Sequence, residues 1–182
     1  MCPTVPDGSP AWRTDDAVRG AALEVEAHVA ESGWDQPVRL YALVPTSELI
    51  ADEPELAARV GLDPPTAAGT FTPIEQELNP SESLERLLTR IEWPPAVRGA
   101  AAVVERIVLP GEAEASLPDG AEADGAANHP LRQEVRMAAA VTRDGRAHCA
   151  IRLRSHDRDD AVLDGDQLAP GLVGLLSRSL TD

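Results

Sequence analysis

Residues 135–154 read VRMAAAVTRDGRAHCAIRLR, and this stretch decides the fold. Two segments in which apolar and polar residues alternate, 135–142 and 147–154, flank the turn sequence Arg143-Asp144-Gly145-Arg146 and predict a β-hairpin. A two-residue Asp-Gly loop would set the apolar face of one strand against the polar face of the other. A three-residue loop ending in a left-handed Gly145 gives both strands a common apolar face, so we predict this turn with a bulge.

The predicted register gathers polar side chains on the second face of the hairpin. It sets Arg136 directly opposite Arg152, with His148 and Arg154 on the same face. Like charges that face each other are destabilising, so this pair requires an acid, an anion or open solvent between its guanidinium groups. The four residues are candidate binding residues for an acidic peptide or a small anion. The alternative is a solvated face that the chain's own acids neutralise.

Hydrophobic periodicity outside the hairpin predicts an α+β fold. The predicted helices cover residues 14–32, 46–60, 79–92 and 166–180, and the predicted further strands cover residues 38–44, 71–78 and 99–109. Consecutive strands joined by a tight turn pair antiparallel. We therefore predict a mostly antiparallel sheet of four to five strands with helices packed mainly on one face.

The chain divides into a short arm and a single domain. Residues 1–13 are rich in proline and polar residues and predict a disordered N-terminal arm. Residues 14–182 predict one α+β domain, within the usual size of a single domain. Residues 111–130 carry five acids, no base and no periodicity, which predicts an acidic surface loop.

Composition restricts the possible partners. The 182 residues carry a net charge of -15, and all 16 bases are arginine. This balance argues against nucleic acid or an anionic membrane as the main partner, because both require a net positive surface. Cys2 and Cys149 do not form a disulfide framework, and the first sixteen residues contain no apolar run, so we expect a cytoplasmic protein.

No combination of nucleophile, base and orienting group is visible in the sequence, so an enzyme is not the favoured reading. His156 and Asp157 are weak candidates for metal ligands, but the acidic string around them matches no zinc or calcium template. The predicted register points Cys149 toward the core. Glu105 in the third long strand predicts a salt bridge, and Trp34 predicts either a plug at the edge of the core or, if exposed, a binding anchor.

Several segments resemble an uncharacterised family of actinobacterial proteins. The similar segments are Gly33-Trp34-Asp35-Gln36-Pro37, Tyr41-Ala42-Leu43-Val44, Trp93-Pro94, Val104-Glu105-Arg106 and the stretch from His148 to Asp157. The resemblance implies an actinobacterial cytoplasmic protein, in agreement with the arginine-only, alanine-rich composition, and brings no activity, cofactor or catalytic residue. At the level of the fold, the chain is also similar to type III secretion chaperones, which are small, acidic, dimeric proteins of helices and sheet.

These features favour a non-catalytic protein-interaction or regulatory, chaperone-like module. The expected partner is a protein, either a second copy in a homodimer or another chain, and no cofactor is expected. The first alternative is a small-anion-binding enzyme that uses the arginine-rich face of residues 135–154. The second alternative is a metal-dependent hydrolase at His156 and Asp157.

Overall fold

Six antiparallel strands form one sheet in the structure, a computed structural model that describes residues 10–109 and 130–181. In chain order the strands are β1 (Arg39–Pro45), β2 (Phe71–Gln76), β3 (Gly99–Val108), β4 (Gln133–Thr142), β5 (Ala147–Leu153) and β6 (Leu163–Gly165). They are arranged across the sheet in the order β2-β1-β3-β4-β5-β6. The α+β class and the antiparallel sheet are confirmed, whereas the predicted four to five strands become six.

Helices precede, separate and follow the strands. They are α1 (Asp15–Ala30), α2 (Thr46–Asp52), α3 (Pro54–Arg59), α4 (Pro64–Ala67), α5 (Leu84–Leu88) and α6 (Pro170–Ser179), with 3₁₀ turns at Arg154–His156 and Asp159–Ala161. The longest, α1, begins where the Thr14 side chain accepts a hydrogen bond from the backbone N–H of Ala17. None of the described helices is long and apolar enough to cross a lipid bilayer.

Both faces of the sheet are covered by helices. On one face, Val18, Val25 and Val29 of α1 pack against Tyr41 and Leu43 of β1, together with alanines of β3, β4 and β5. On the other face, apolar residues of α5 and α6 pack against the alternate residues of the same strands. The expected packing mainly on one face is therefore wrong. The cause is visible in β1, whose apolar side chains point to both sides of the sheet.

Three local features differ from the sequence predictions or add to them. The predicted start of a helix at Asn79 is wrong, because the Asn79 side chain instead accepts a bond from the backbone N–H of Ser81, and Ser83 caps a shorter α5. The short strand β6 lies between the hairpin and the last helix, in a segment for which the sequence predicts no strand. At the end of the predicted arm, Trp12 is 5% exposed and lies 5.9 Å from the Phe71 ring.

Two sequence predictions concern regions that the structure does not describe. The first nine residues of the predicted arm lie outside the described residues, as does the predicted acidic loop up to residue 129.

Candidate functional site

The β4–β5 hairpin has the predicted three-residue turn. Gly145 has a φ of 86°, Val141 pairs with Ala147, and Arg136 pairs with Arg152. The predicted register is therefore confirmed, and both arginines lie on the same face. That face is covered by α1, so that Arg136 is 0% exposed and Arg152 is 3% exposed. The expectation of an outward cationic surface is wrong for these two residues. The alternation of side chains along a strand predicts which face of the sheet a residue lies on, but it does not predict which helix packs on that face.

One buried acid of α1 lies between the two guanidinium groups. Glu26, which is 2% exposed, accepts hydrogen bonds from Nε of Arg152 at 2.6 Å and from Nη2 at 3.0 Å. Its Oε1 atom also lies 3.9 Å from Nη1 of Arg136. The hydrogen bonds with Glu26 raise the pKa of Arg152 above its usual value. The acid that a facing arginine pair requires is thus supplied by the helix that buries the pair.

Arg136 has further partners at the end of β3 and after α1. Its Nη2 atom donates to Oε1 of Glu105 at 3.0 Å and to the carbonyl oxygen of Gly33. Its guanidinium carbon lies 4.4 Å from the centre of the Trp34 ring, within cation–π distance. The salt bridge predicted for Glu105 is confirmed. Trp34 is half-buried and packs against the buried guanidinium of Arg136. This position agrees with the first of the two predictions for Trp34, a side chain that closes the edge of the core.

The segment after β5 provides the remaining partners of Arg152. Nη1 of Arg152 donates to Asp157 at 3.1 Å, and Nη2 donates to Asp159 at 2.8 Å. The indole N–H of Trp34 donates to the second oxygen of Asp157 at 2.9 Å. The hydrogen bond from Trp34, helped by Arg152, lowers the pKa of Asp157 although partial desolvation opposes the shift. We call Glu26, Glu105, Arg136 and Arg152 the buried charge network, with Trp34, Asp157 and Asp159 at its rim.

The other two candidate binding residues have acids of their own, and the Arg154 guanidinium also lies 5.6 Å from the centre of the Trp34 ring at the rim of the buried charge network. Arg154 donates to both carboxylate oxygens of Asp35, at 2.9 and 3.1 Å, and to Glu134 at 2.7 Å. Nε2 of His148 lies 2.8 Å from Oδ2 of Asp164. Arg136, His148 and Arg152 therefore share a sheet face, and Arg154 follows that face in the 3₁₀ turn after β5. Each of the four has carboxylate partners within the chain, and they do not converge on one open site.

The contacts of Asp164 give a first testable prediction. Hydrogen bonds from Arg19 and His148 lower the pKa of Asp164 to about 2. The stabilisation that this carboxylate provides should be complete above its unfolded-state pKa and should be lost as the pH falls from about 4 toward 2. We expect the carboxyl carbon of Asp164 to titrate near the lower value in an NMR pH series, and Arg19→Ala to raise this pKa. A titration midpoint at the ordinary aspartate value in the native chain would contradict both contacts.

The described residues offer no metal centre. Among them, no three His, Cys, Asp or Glu side chains are grouped so as to hold a metal ion. Of the two weak candidates, His156 has Nδ1 2.9 Å from the Ser155 hydroxyl, and Asp157 is already bonded to Trp34 and Arg152. Cys149 is fully buried as its register position predicts, and this burial raises the pKa of its thiol, which favours the unreactive protonated form.

The larger recesses of the described chain lie away from the buried charge network. One of about 850 Å³ runs between the hairpin turn, the end of β6 and α6, with His148 on its wall. Another, of about 420 Å³, lies between α1 and the β1–β2 edge and includes Tyr41 and Glu24. The sequence alone did not single out this second recess, because its lining comes from α1, β1 and β2, which are distant from one another along the chain.

The fold and its contacts define an α+β protein with an internally neutralised arginine pair. The chain belongs to the PPA1309-like protein family, whose model matches residues 18–181. The family takes its name from a locus of Propionibacterium acnes, in agreement with the resemblance to an uncharacterised actinobacterial family. Neither a curated protein nor a solved structure matches the chain.

Proposed function

We propose that this protein is a non-catalytic binding module whose partner is another protein. The observation that supports the proposal is a row of apolar side chains across four strands. Val104 pairs with Met137, Met137 with Ile151, and Ile151 with Leu163, so the four side chains share one face. We call this row the apolar stripe.

Exposure increases along the apolar stripe toward the edge of the sheet. Val104 is 2% exposed, Met137 and Ile151 are half-buried, and Leu163 on β6 is 57% exposed. Leu168, 41% exposed, packs against the position that Gly165 leaves open on the same face. Partly exposed apolar side chains that adjoin a buried core are typical of protein-binding surfaces.

The open edge of β6 adds a second reason to expect a protein partner. In the described part of the chain, β6 pairs with β5 alone, and it is three residues long. An unpaired strand edge can hydrogen-bond to a strand of a second chain. A partner strand there would extend the sheet and cover Leu163 and Leu168, which are otherwise in water.

The contacts around the hairpin give less support to a small-anion-binding enzyme. An anion at Arg136 or Arg152 would have to displace Glu26, which is buried beneath α1. The metal-dependent hydrolase has less support still, because Asp157 is engaged by Trp34 and Arg152. A binding or regulatory role does not require Glu26 or Asp157 to leave its present partners.

The test compares Leu163→Asp with Val60→Asp. The two positions are matched, since Leu163 is 57% exposed on the apolar stripe and Val60 is 59% exposed beyond α3. We expect Leu163→Asp to weaken association about tenfold, because it buries a charge at the interface, and Val60→Asp to leave it unchanged. Sedimentation velocity measures self-association, and a photo-crosslinking residue at each position in cells measures capture of other chains.

The dependence of association on ionic strength distinguishes a second copy of the chain from a basic partner protein. Two copies that each carry a net charge of -15 repel one another, so self-association should strengthen as salt screens the repulsion. Binding to a basic protein should instead weaken with salt. A chain that sediments as a monomer at every ionic strength, and that crosslinks no more at position 163 than at position 60, would refute the proposal.

A further inference from the structure

The sheet edge is incomplete along the first part of β5. Strand β5 begins at Ala147, whereas its pairing with β6 begins at Cys149, which lies opposite Gly165. The backbone N–H of Thr142 donates to the carbonyl oxygen of Arg146. Since the direction of the backbone hydrogen bonds alternates along an antiparallel strand, Ala147 directs its N–H and C=O away from β4. In the described part of the chain, no strand pairs with Ala147 on that side.

A recess lies beside Ala147 at this incomplete edge, and we call it the hairpin recess. Its volume is about 850 Å³, within the range of binding sites. Ala147 and His148 line it from β5, and α6 contributes Pro170, Val173 and Gly174. A sheet edge with free backbone groups can accept an extended peptide as an additional strand, and the side chains around the edge select the peptide's sequence.

The hairpin recess carries excess negative charge. Asp15 and Asp166 line it, and among its described lining residues Arg146 is the one arginine. Arg146 is already shared between Asp144, at 3.4 Å, and Asp15, at 3.6 Å. Asp166 is exposed and has no hydrogen bond or salt bridge with a described residue. Three acids thus accompany one arginine here, which favours a positively charged ligand.

We propose that the hairpin recess binds an extended, basic peptide segment of a partner protein, which pairs with the backbone of Ala147. The inference rests on the proposed function, since such a segment belongs to another protein. Side chains of an added strand alternate between the two faces of the sheet. On the face of α6, small apolar side chains of the segment lie against Pro170 and Val173. The alternate side chains are basic and point toward the face of α1, where Asp15 lies.

Other occupants and the other sheet edge fit less well. A second copy of the chain also carries a net charge of -15, and a small anion would likewise meet the acids of the hairpin recess. At the opposite edge of the sheet, Pro73 lies within β2 and lacks a backbone N–H, so β2 offers fewer donors to an added strand.

The test uses a synthetic peptide, (Val-Lys)4, capped at both ends, in which apolar and basic residues alternate. We expect the full-length protein to bind it with a dissociation constant on the order of 0.1 mM in calorimetry at low salt. Hydrogen exchange followed by NMR should become slower at the amide of Ala147 and change little at Cys149, which already pairs with β6. The peptide (Val-Glu)4 reverses the charge, and a fully N-methylated (Val-Lys)4 keeps the charge but has no backbone donors. Neither control should protect Ala147.

Two glycines of α6 provide matched variants. Gly174 lines the hairpin recess, and a Cβ added there meets only the end of the Arg178 side chain, at 3.6 Å, so Gly174→Leu fills the recess without a backbone clash. Gly171 lies outside the lining and has open space at its Cβ position. Leucine has a higher helix propensity than glycine, so both variants should fold. Gly174→Leu should weaken binding of (Val-Lys)4 at least about tenfold, and Gly171→Leu should leave it unchanged.

A second pair of variants separates the site from general attraction of cations to an acidic protein. Asp166→Asn should weaken binding of (Val-Lys)4 about two- to threefold, whereas Asp52→Asn, which removes an exposed charge of α2, should not. Equal binding by the two glycine variants, equal binding of the N-methylated peptide, or no binding at all would overturn the inference. In that event, capture of a partner at position 163 would leave the protein-binding proposal standing alone, and no capture there would remove both.

Discussion

Glu26→Gln is expected to lower the free energy of unfolding by about 3–5 kcal/mol. The Glu26 carboxylate is 2% exposed and bonded to Arg152 through both oxygens, and its Oε1 atom lies 3.9 Å from Nη1 of Arg136. Glutamine keeps the volume but brings an amide NH₂ group toward two guanidinium groups and removes the compensating charge. Two buried cations would then share Glu105 and the acids at the rim of the buried charge network.

Urea denaturation of Glu26→Gln and of Glu24→Gln measures this effect against a matched control. Glu24 lies on the same helix two residues earlier and has no ion pair with a described residue. Its replacement should change stability by less than about 0.5 kcal/mol. If the two variants unfold at the same urea concentration with the same slope, the buried charge network does not stabilise the fold.

A double replacement separates the cost of an unpaired charge from the value of the pair. Glu26→Leu with Arg152→Met removes both partners and leaves apolar side chains of similar size. Since replacing a complete buried ion pair is often neutral, the double variant should regain most of the stability that Glu26→Gln loses. Arg136 retains Glu105 in this variant, at 3.0 Å.

The hairpin was predictable because its determinants are local. Apolar residues alternate on both sides of Asp144-Gly145, and only one loop length gives the two strands a common apolar face. The buried position of Cys149 and the facing pair of Arg136 and Arg152 followed directly from this register. That the two arginines require an acid, an anion or open solvent between them was also predictable from their charges.

The source of that acid was not predictable from the sequence. Glu26 lies 126 residues from Arg152 along the chain, on α1, and no local pattern links the two residues. The alternation of polar and apolar residues in β4 and β5 predicts that the arginines lie on a polar face, but α1 packs on that face and buries it. Similarly, β6 is too short to produce a periodic signal, and it is positioned by pairing with β5.

The recess at Tyr41 was missed for a related reason. A tyrosine on an interior strand predicts a core residue, and Tyr41 is indeed buried in the cluster beneath α1. The recess beside it is formed only once α1, β1 and β2 have been assembled. Local pattern therefore determines strand register, whereas the candidate sites depend on which distant elements are brought together.

Arg143→Ala should have a second large effect, a loss of about 2–4 kcal/mol in the free energy of unfolding. Sequence reasoning treated Arg143 as a turn residue, yet its side chain bonds to three backbone carbonyls. Nε donates to Val97 at 2.9 Å, Nη1 to Leu180 at 3.0 Å, and Nη2 to Trp93 at 3.1 Å. Arginine thus joins the β-hairpin turn to the segment before β3 and to the end of α6, and alanine would leave these partly buried acceptors without their donor.

Arg146→Ala is the matched control, because Arg146 lies in the same turn and, among the described residues, pairs only with surface acids, at 3.4 Å to Asp144 and 3.6 Å to Asp15. It should cost less than about 1 kcal/mol. Arg143→Lys keeps the charge but cannot direct three donors to separate acceptors, so it should lie between wild type and Arg143→Ala. Hydrogen exchange should show weaker protection at the end of α6 in Arg143→Ala. Equal stability of the Arg143 and Arg146 variants would mean that these three bonds do not hold the segments together.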